Sequence, residues 1–218
     1  MLKKNDIFTA EIIDNGAGGE GIAKKDGITL FVKNGVCGDT LELKVLKINK
    51  NYGFAKIEKI INPSQSRQIP PCKNFEKCGG CSIMHMDYPS QLKLKCEIVK
   101  NNLRKTGGFN EGDYIFEDII PSDCVLRYRN KAQFPCALIK NKFSCGFFKE
   151  RSHDIVPVGD CLIQSEKINA LMNICVSFFD ENGILPYDEK TKKGIVRNIY
   201  IREFSGSAAV VIVANTKK

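Results

Sequence analysis

The chain has 218 residues, of which 43% are hydrophobic, enough for one large domain or two smaller ones with a real core. No run approaches the roughly 18 apolar residues of a membrane span, and Met1-Leu2-Lys3-Lys4-Asn5-Asp6 lacks the apolar centre of a signal peptide, which argues against membrane and secreted classes and for a cytoplasmic, reducing location. The net charge of +8 is clustered, with Lys93, Lys95, Lys100, Arg104 and Lys105 against Glu97 in one stretch and a second basic run over 127–151. It suggests a polyanion, nucleic acid first, with a lysine-solvated surface as the alternative.

Residues 6–61 read as five short strands, at 7–13, 21–24, 28–32, 40–48 and 54–61, separated by the turn signals Asn15-Gly16-Ala17-Gly18-Gly19, Asp26-Gly27 and Lys50-Asn51-Tyr52-Gly53. That length and pattern fit an OB-like β-barrel, which binds through one strand face and its loops. A polar, proline-containing linker at 62–71 separates it from the rest. A helix is expected over 89–106, capped by Asp87 or Ser90, with Leu92, Cys96, Val99 and Leu103 on one face and Gly107-Gly108 at its end. Strands follow at 114–120, 126–139 and 143–148, the last two a hairpin. A second helix runs from about Ser165 to Asn182, its stripe formed by Ile168, Leu171, Met172, Cys175, Phe178 and Phe179. A final hairpin pairs 195–204 with 208–214 before the basic end Lys217-Lys218. The fold class is α+β, mainly β: a five-stranded barrel followed by a mixed α/β domain over 72–218.

Ten cysteines in a reducing compartment read as metal ligands and small buried hydrophobes rather than disulfides. Three of them, Cys72, Cys78 and Cys81, share one loop at C-x5-C-x2-C spacing. Gly79 and Gly80 between the last pair are expected at positive φ, turning N–H groups toward sulfur. Either an iron–sulfur cluster or tetrahedral zinc needs a fourth ligand, and Cys161, in the loop after Pro157-Val158-Gly159-Asp160, is the candidate, with Cys124 its competitor. Three thiols on one loop and a distant fourth resemble cluster ligation more than the paired C-x2-4-C halves of structural zinc sites; zinc stays the alternative.

In the stretch from 127 to 134, Arg127, Arg129, Lys131 and Gln133 alternate with Tyr128, Asn130, Ala132 and Phe134. A strand would therefore place four polar groups on one face, able to hold phosphates or a base. Tyr128, Phe147 and Phe148 are read as core aromatics, and His85 and His153 as structural hydrogen-bonding groups.

Together CKNFEKCGGC, RYRNKAQFP, GFFKERSHDIVPVGDC and GIVRNIYIRE resemble one family over essentially the whole chain: the 23S rRNA (uracil-5-)-methyltransferases and their tRNA-modifying relatives. The resemblance implies a TRAM domain at 1–61 and a [4Fe-4S] cluster on Cys72, Cys78, Cys81 and Cys161 in the domain that follows. It implies RNA, rRNA before tRNA, as partner, and S-adenosylmethionine as methyl donor. Arg129 is the first candidate for helping the target uridine out of its stack, with Arg127, Lys131 and Lys149 behind it. No glycine-rich S-adenosylmethionine turn and no proline-rich loop with a nucleophilic cysteine is visible in these residues; Pro135-Cys136 reads as packing. The family carries both in a C-terminal methyltransferase domain, on which the 89–106 helix packs. This chain alone is therefore expected to bind RNA without methylating it, and a free-standing metal-stabilised RNA-binding module is the other reading.

Overall fold

The computed structural model describes residues 2–110 and 112–216, so the expectations attached to Met1 and to Lys217-Lys218 lie outside the described residues. The chain forms two compact units, Met1–Pro71 with Ser82–Pro121 and Cys72–Cys81 with Ser122–Lys218. This division differs from a single boundary at 62–71: the linker and the first helix group with the barrel, and the three-thiol loop groups with the later strands.

In the first unit β1 (Ile7–Glu11), β2 (Asp14–Asn15), β3 (Gly21–Lys25), β4 (Ile28–Val32), β5 (Thr40–Ile48) and β6 (Tyr52–Asn62) form one sheet in the order β1-β5-β6-β4-β3-β2. The strand beyond the expected five is the short β2, just past the segment read as a strand at 7–13 and including Asn15, read as the start of a turn. Only the β4–β6 pair is parallel. The two-period alternation of apolar residues sends Ala23, Leu30, Val32, Leu41, Leu43, Val45 and Ala55 to one side, where they form a single cluster with Ile12. Because strands from both ends of the sheet feed that cluster, the sheet wraps round on itself, as the barrel pattern predicts. The turn Asp26-Gly27 has both residues at positive φ, 50° and 76°, the geometry a two-residue hairpin demands.

The 62–71 segment is fastened rather than free. Arg67 forks onto the buried carboxylate of Asp39, Nε to Oδ1 at 2.9 Å and Nη2 to Oδ2 at 2.6 Å, and also donates to the Asn34 carbonyl at 2.6 Å. Asp39 accepts the Val36 and Ser64 N–H groups as well. Burial alone would raise the Asp39 carboxyl; the Arg67 hydrogen bond, the two N–H groups and the Arg67 charge outweigh it and hold it below the usual carboxylate range. Beyond it, Gln68 N–H donates to the His85 carbonyl. His85 is buried, and burial followed by the Arg67 charge lowers it to about 4. The helix α1 (Tyr88–Lys105) starts at Asp87, whose side chain accepts the Ser90 N–H at 2.8 Å, and ends with Arg104 and Lys105, favourable at the carbonyl end of the helix dipole. None of its residues is fully buried.

The second unit contains β7 (Lys131–Ile139), β8 (Lys142–Phe148), β9 (Ile155–Pro157), α2 (Glu166–Glu181), β10 (Val196–Phe204) and β11 (Ser207–Ala214). Its antiparallel sheet has the order β11-β10-β7-β8-β9. Helix α2, capped by Ser165, packs Ile168, Met172 and Phe179 onto Phe134, Phe143, Cys145, Ile199 and Ile201. Each fully buried side chain of this size contributes roughly 1.5–3 kcal/mol by leaving water. The turns Lys140-Asn141 and Ser205-Gly206 again carry positive φ at both residues. Cys136 and Cys145 are direct cross-strand partners with sulfurs 3.2 Å apart in this core.

Three expectations are corrected. Residues 114–120 form no strand: they find no ladder partner, and Tyr114 instead packs edge-on to Phe109 and Phe116. The strand expected from Leu126 begins only at Lys131, because 127–129 pair with another loop. Phe178 is exposed; the stripe facing the sheet passes from Cys175 to Phe179 and leaves Phe178 outside it.

Removing the Asp39 charge leaves the Arg67 guanidinium, itself largely buried, without its counter-ion. Asp39→Asn should therefore cost about 3 kcal/mol or more in denaturant unfolding. In acid two groups act in the same direction. From pH 6.5 down to about 4 only the unfolded chain protonates His85, so stability falls; as pH drops further through the depressed Asp39 value, that carboxylate's contribution is lost too. Calorimetry between neutral pH and strong acid should show the first unit melting progressively earlier.

Candidate metal centre

The Cys72–Cys81 loop is a chain of tight turns. Phe75 N–H bonds the Cys72 carbonyl, and the Lys77 and Cys78 N–H groups share the Asn74 carbonyl, while the Phe75 side chain is buried as an anchor. Gly79 then donates to the Phe148 carbonyl at 2.9 Å. Neither Gly79 nor Gly80 has positive φ, contrary to expectation. What Gly79 provides is room: a Cβ there would stand 3.0 Å from the Glu150 nitrogen and the Phe148 oxygen. Gly80 turns its N–H onto the Cys78 sulfur at 3.4 Å.

Cys161 is brought to this loop by backbone pairing that the sequence pattern did not reveal. Arg127 N–H donates to the Leu162 carbonyl and Arg129 N–H to that of Ile163, and Ser165 N–H returns to the Arg129 carbonyl. The guanidinium of Arg127 grips Asp160 with two nitrogens, at 2.5 and 2.9 Å, and reaches the Cys161 carbonyl at 3.1 Å. Asn169, a buried polar residue on the inner face of α2, closes the loop: Oδ1 accepts the Cys161 N–H, and Nδ2 donates to the carbonyls of Cys161, Gln164 and Ser165. An asparagine amid the apolar stripe of α2 was the signal that could have identified it.

The sulfurs of Cys72, Cys78 and Cys161 lie near enough to Cys81 for their charges to act on it. Burial first, then the neighbouring sulfurs of Cys161, Cys78 and Cys72, push Cys81 up to about 11, while the Arg129 charge opposes them. Burial also raises Cys161, opposed by the nearby backbone N–H groups of Ile163 and of Gln164, which donates to the Cys161 carbonyl at 3.0 Å; Cys72 and Cys78 push it further up. Four half-buried thiols crowd one another, and backbone donors and a guanidinium stand ready to stabilise thiolates. Gln164, only 1% exposed, adds a side-chain amide whose nitrogen and oxygen have no hydrogen-bond partner. Among the described residues no group of three or more Cys, His, Asp or Glu is positioned to hold a metal ion. Cys37 and Cys124 are exposed, and Cys96 and Cys175 half-buried.

The predicted polar face divides. Arg129, Lys131 and Gln133 are exposed, the latter two opposite Arg202 and Tyr200 of β10. Arg127 is not on that face: at φ 60° it serves the Cys161 loop. Lys149 is exposed and ion-paired with Asp154 at 3.2 Å. Of the aromatics read as core, Phe147 packs on Phe134, but Tyr128 and Phe148 are exposed, Phe148 stacked on His153.

Asn169→Ala would strand the Cys161 N–H in a half-buried loop and take one donor from each of three carbonyls, which keep others. It should cost about 2–3 kcal/mol in urea unfolding and loosen the loop that shelters Cys161, seen as faster alkylation of that thiol.

No family model matches the chain. It is 38% identical over 216 residues to an uncharacterized RNA methyltransferase of Clostridium tetani, covering 99% of this chain and 46% of that protein. It is 38% identical over 218 residues to an uncharacterized RNA methyltransferase of Listeria innocua, covering 100% of this chain and 48% of that protein. The chain thus spans about half the length of the curated relatives it matches. Its fold matches that of Pyrococcus abyssi tRNA (uracil-54, C5)-methyltransferase, solved with S-adenosyl-L-homocysteine, at a TM-score of 0.68 and 21% identity, over 96% of this chain and 46% of that one. Among the described residues no helix is long and apolar enough to cross a membrane. The chain is therefore similar, from end to end, to one half of proteins named RNA methyltransferases.

Proposed function

We propose that this chain is the RNA-binding, iron–sulfur-bearing portion of an RNA (uracil-5-)-methyltransferase, with a TRAM domain at 1–61, a linker at 62–71 and a [4Fe-4S] domain over 72–218. The observation that supports the reading is that backbone pairing of Arg127 and Arg129 with residues 162–165 ties down the loop of Cys161, a thiol near enough to the 72–81 loop for its charge to act on Cys81. The residues fit such a group. Four thiols, an N–H group aimed at sulfur, the Arg129 charge and the unpartnered Gln164 amide supply what an anionic cluster needs. A single zinc ion, bonded to sulfur at about 2.3 Å, requires sulfurs drawn closer together than a cluster does. When bound, the cluster would supply cross-linking, tying the 72–81 loop to the strand-and-helix body. Arg129, Lys131 and Gln133 would face RNA, Arg127 would position the Cys161 loop, and Lys149 would stand at the edge. S-adenosylmethionine is the methyl donor of the whole enzyme in this reading, in the cytoplasm, and 23S rRNA is its favoured substrate.

Anaerobically purified chain should contain about four iron and four acid-labile sulfide atoms per molecule. Stoichiometric zinc without sulfide overturns the cluster, and no metal overturns the centre. For RNA, Arg129→Gln with Lys131→Gln should weaken binding of rRNA fragments and lower the slope of log K against log salt by roughly 0.7–0.9 for each phosphate no longer neutralised. An unchanged slope would make these side chains a solvated surface. Transcripts of 23S rRNA and of tRNA, run in parallel, decide between the two substrates.

A further inference from the structure

On the outer face of the barrel, opposite its core, three aromatic rings stand together. Phe31 of β4 and Tyr52 and Phe54 of β6 have centroids 5.7–6.0 Å apart, with Tyr52 edge-on to both phenylalanines. Their placement follows from register. Leu30, Val32, Gly53 and Ala55, the alternate residues of the same strands, point into the core, so the rings are turned outward. Phe31 is the partner of Phe54, and Thr29 of Tyr52. Tyr52 is 43% exposed, and both phenylalanines are partly exposed.

The surroundings are basic. Lys47 lies directly opposite Phe54, Lys44 is opposite Lys56, and Lys24 is opposite Thr29 in the row that contains Tyr52. Glu58, bound to Lys56 at 2.9 Å, is the acidic neighbour. Exposed rings within a lysine frame are what unpaired bases need: π-faces for the bases and cations for the phosphates that connect them. A double helix, its bases already stacked, offers the rings nothing.

We propose that Phe31, Tyr52 and Phe54 form a base-stacking platform for single-stranded RNA, with Lys24, Lys44 and Lys47 reaching its backbone. This rests on the reading of the chain as RNA-binding, but names a surface separate from Arg129, Lys131 and Gln133. Cross-strand aromatic pairs also stabilise sheets, so stability must be measured beside binding.

The probe is a fluorescein-labelled oligouridine of about 12 nucleotides carrying 4-thiouridine, and its perfect duplex, with the full chain. The single strand should bind and the duplex should compete poorly. Tyr52→Leu and Phe54→Leu should each weaken binding about tenfold at unchanged salt slope, and Lys24→Gln with Lys47→Gln should lower the slope by roughly 0.7 for each phosphate released. Photo-crosslinks on the unsubstituted chain should fall in the tryptic peptides 51–56 and 26–33. Leucine variants that melt like the parent and bind within about twofold of it overturn the proposal, as do equal duplex competition, crosslinks confined to 122–216, or no binding of the single strand. Weakening only on Arg129→Gln with Lys131→Gln removes the platform and leaves the earlier reading standing. Weakening only on the ring variants supports the platform and removes the Arg129 face.

Discussion

Cys72, Cys78, Cys81 and Cys161 are each half-buried and near enough for their charges to act on one another, and that constrains the loops that carry them. Burial first, and then the charges of the neighbouring sulfurs, drive Cys81 up to about 11, and burial and its neighbours raise Cys161. The surrounding structure answers that tension with donors: the Gly80 N–H on Cys78, the Ile163 and Gln164 N–H groups near Cys161, and Arg129 beside Cys81. Such donors would serve no purpose beside inert core cysteines. Cys136 and Cys145 show the contrast, their sulfurs 3.2 Å apart and buried in the cluster that holds Phe134, Phe143 and Met172.

Holding the fourth sulfur in place takes more than the sulfur itself. The Arg127–Arg129 stretch reads as a basic strand, yet its backbone is engaged with residues 162–165 and its first guanidinium with Asp160. Arginine suits that work for the same reason it suits phosphate, a planar fork matching two oxygens. The same residue type thus divides between building the centre and facing solvent, and only the three-dimensional neighbours distinguish the two. Lys131 and Gln133 are turned away from the core that Ala132 and Phe134 enter, where alternation put them, and Arg129, before the strand, is exposed as well.

Much of the architecture was legible because it depends on local rules. Asp26-Gly27, Lys140-Asn141 and Ser205-Gly206 mark hairpins, since a two-residue loop needs positive φ and these residue pairs supply it with little strain. Both helices begin at side-chain caps and follow a helical stripe. The errors fell where locality fails: at 114–120 the residues favour a strand but no partner strand is available, and at 126–130 a partner loop intervenes. The aromatic trio on β4 and β6 was likewise hidden, because Phe31 and Tyr52 are neighbours only through a parallel pairing.

The candidate thiols and their asymmetry are written into the chain itself: three on a glycine-containing loop and a lone fourth after a turn. That the sulfurs of Cys72, Cys78 and Cys161 act on Cys81, while Cys136 and Cys145 face one another in the core, follows only from the folded molecule. That placement depends on the Arg127 fork, the Asn169 amide and the close approach that Gly79 allows. Each of these works between residues far apart in the chain, a distance across which no local pattern of residue types carries information.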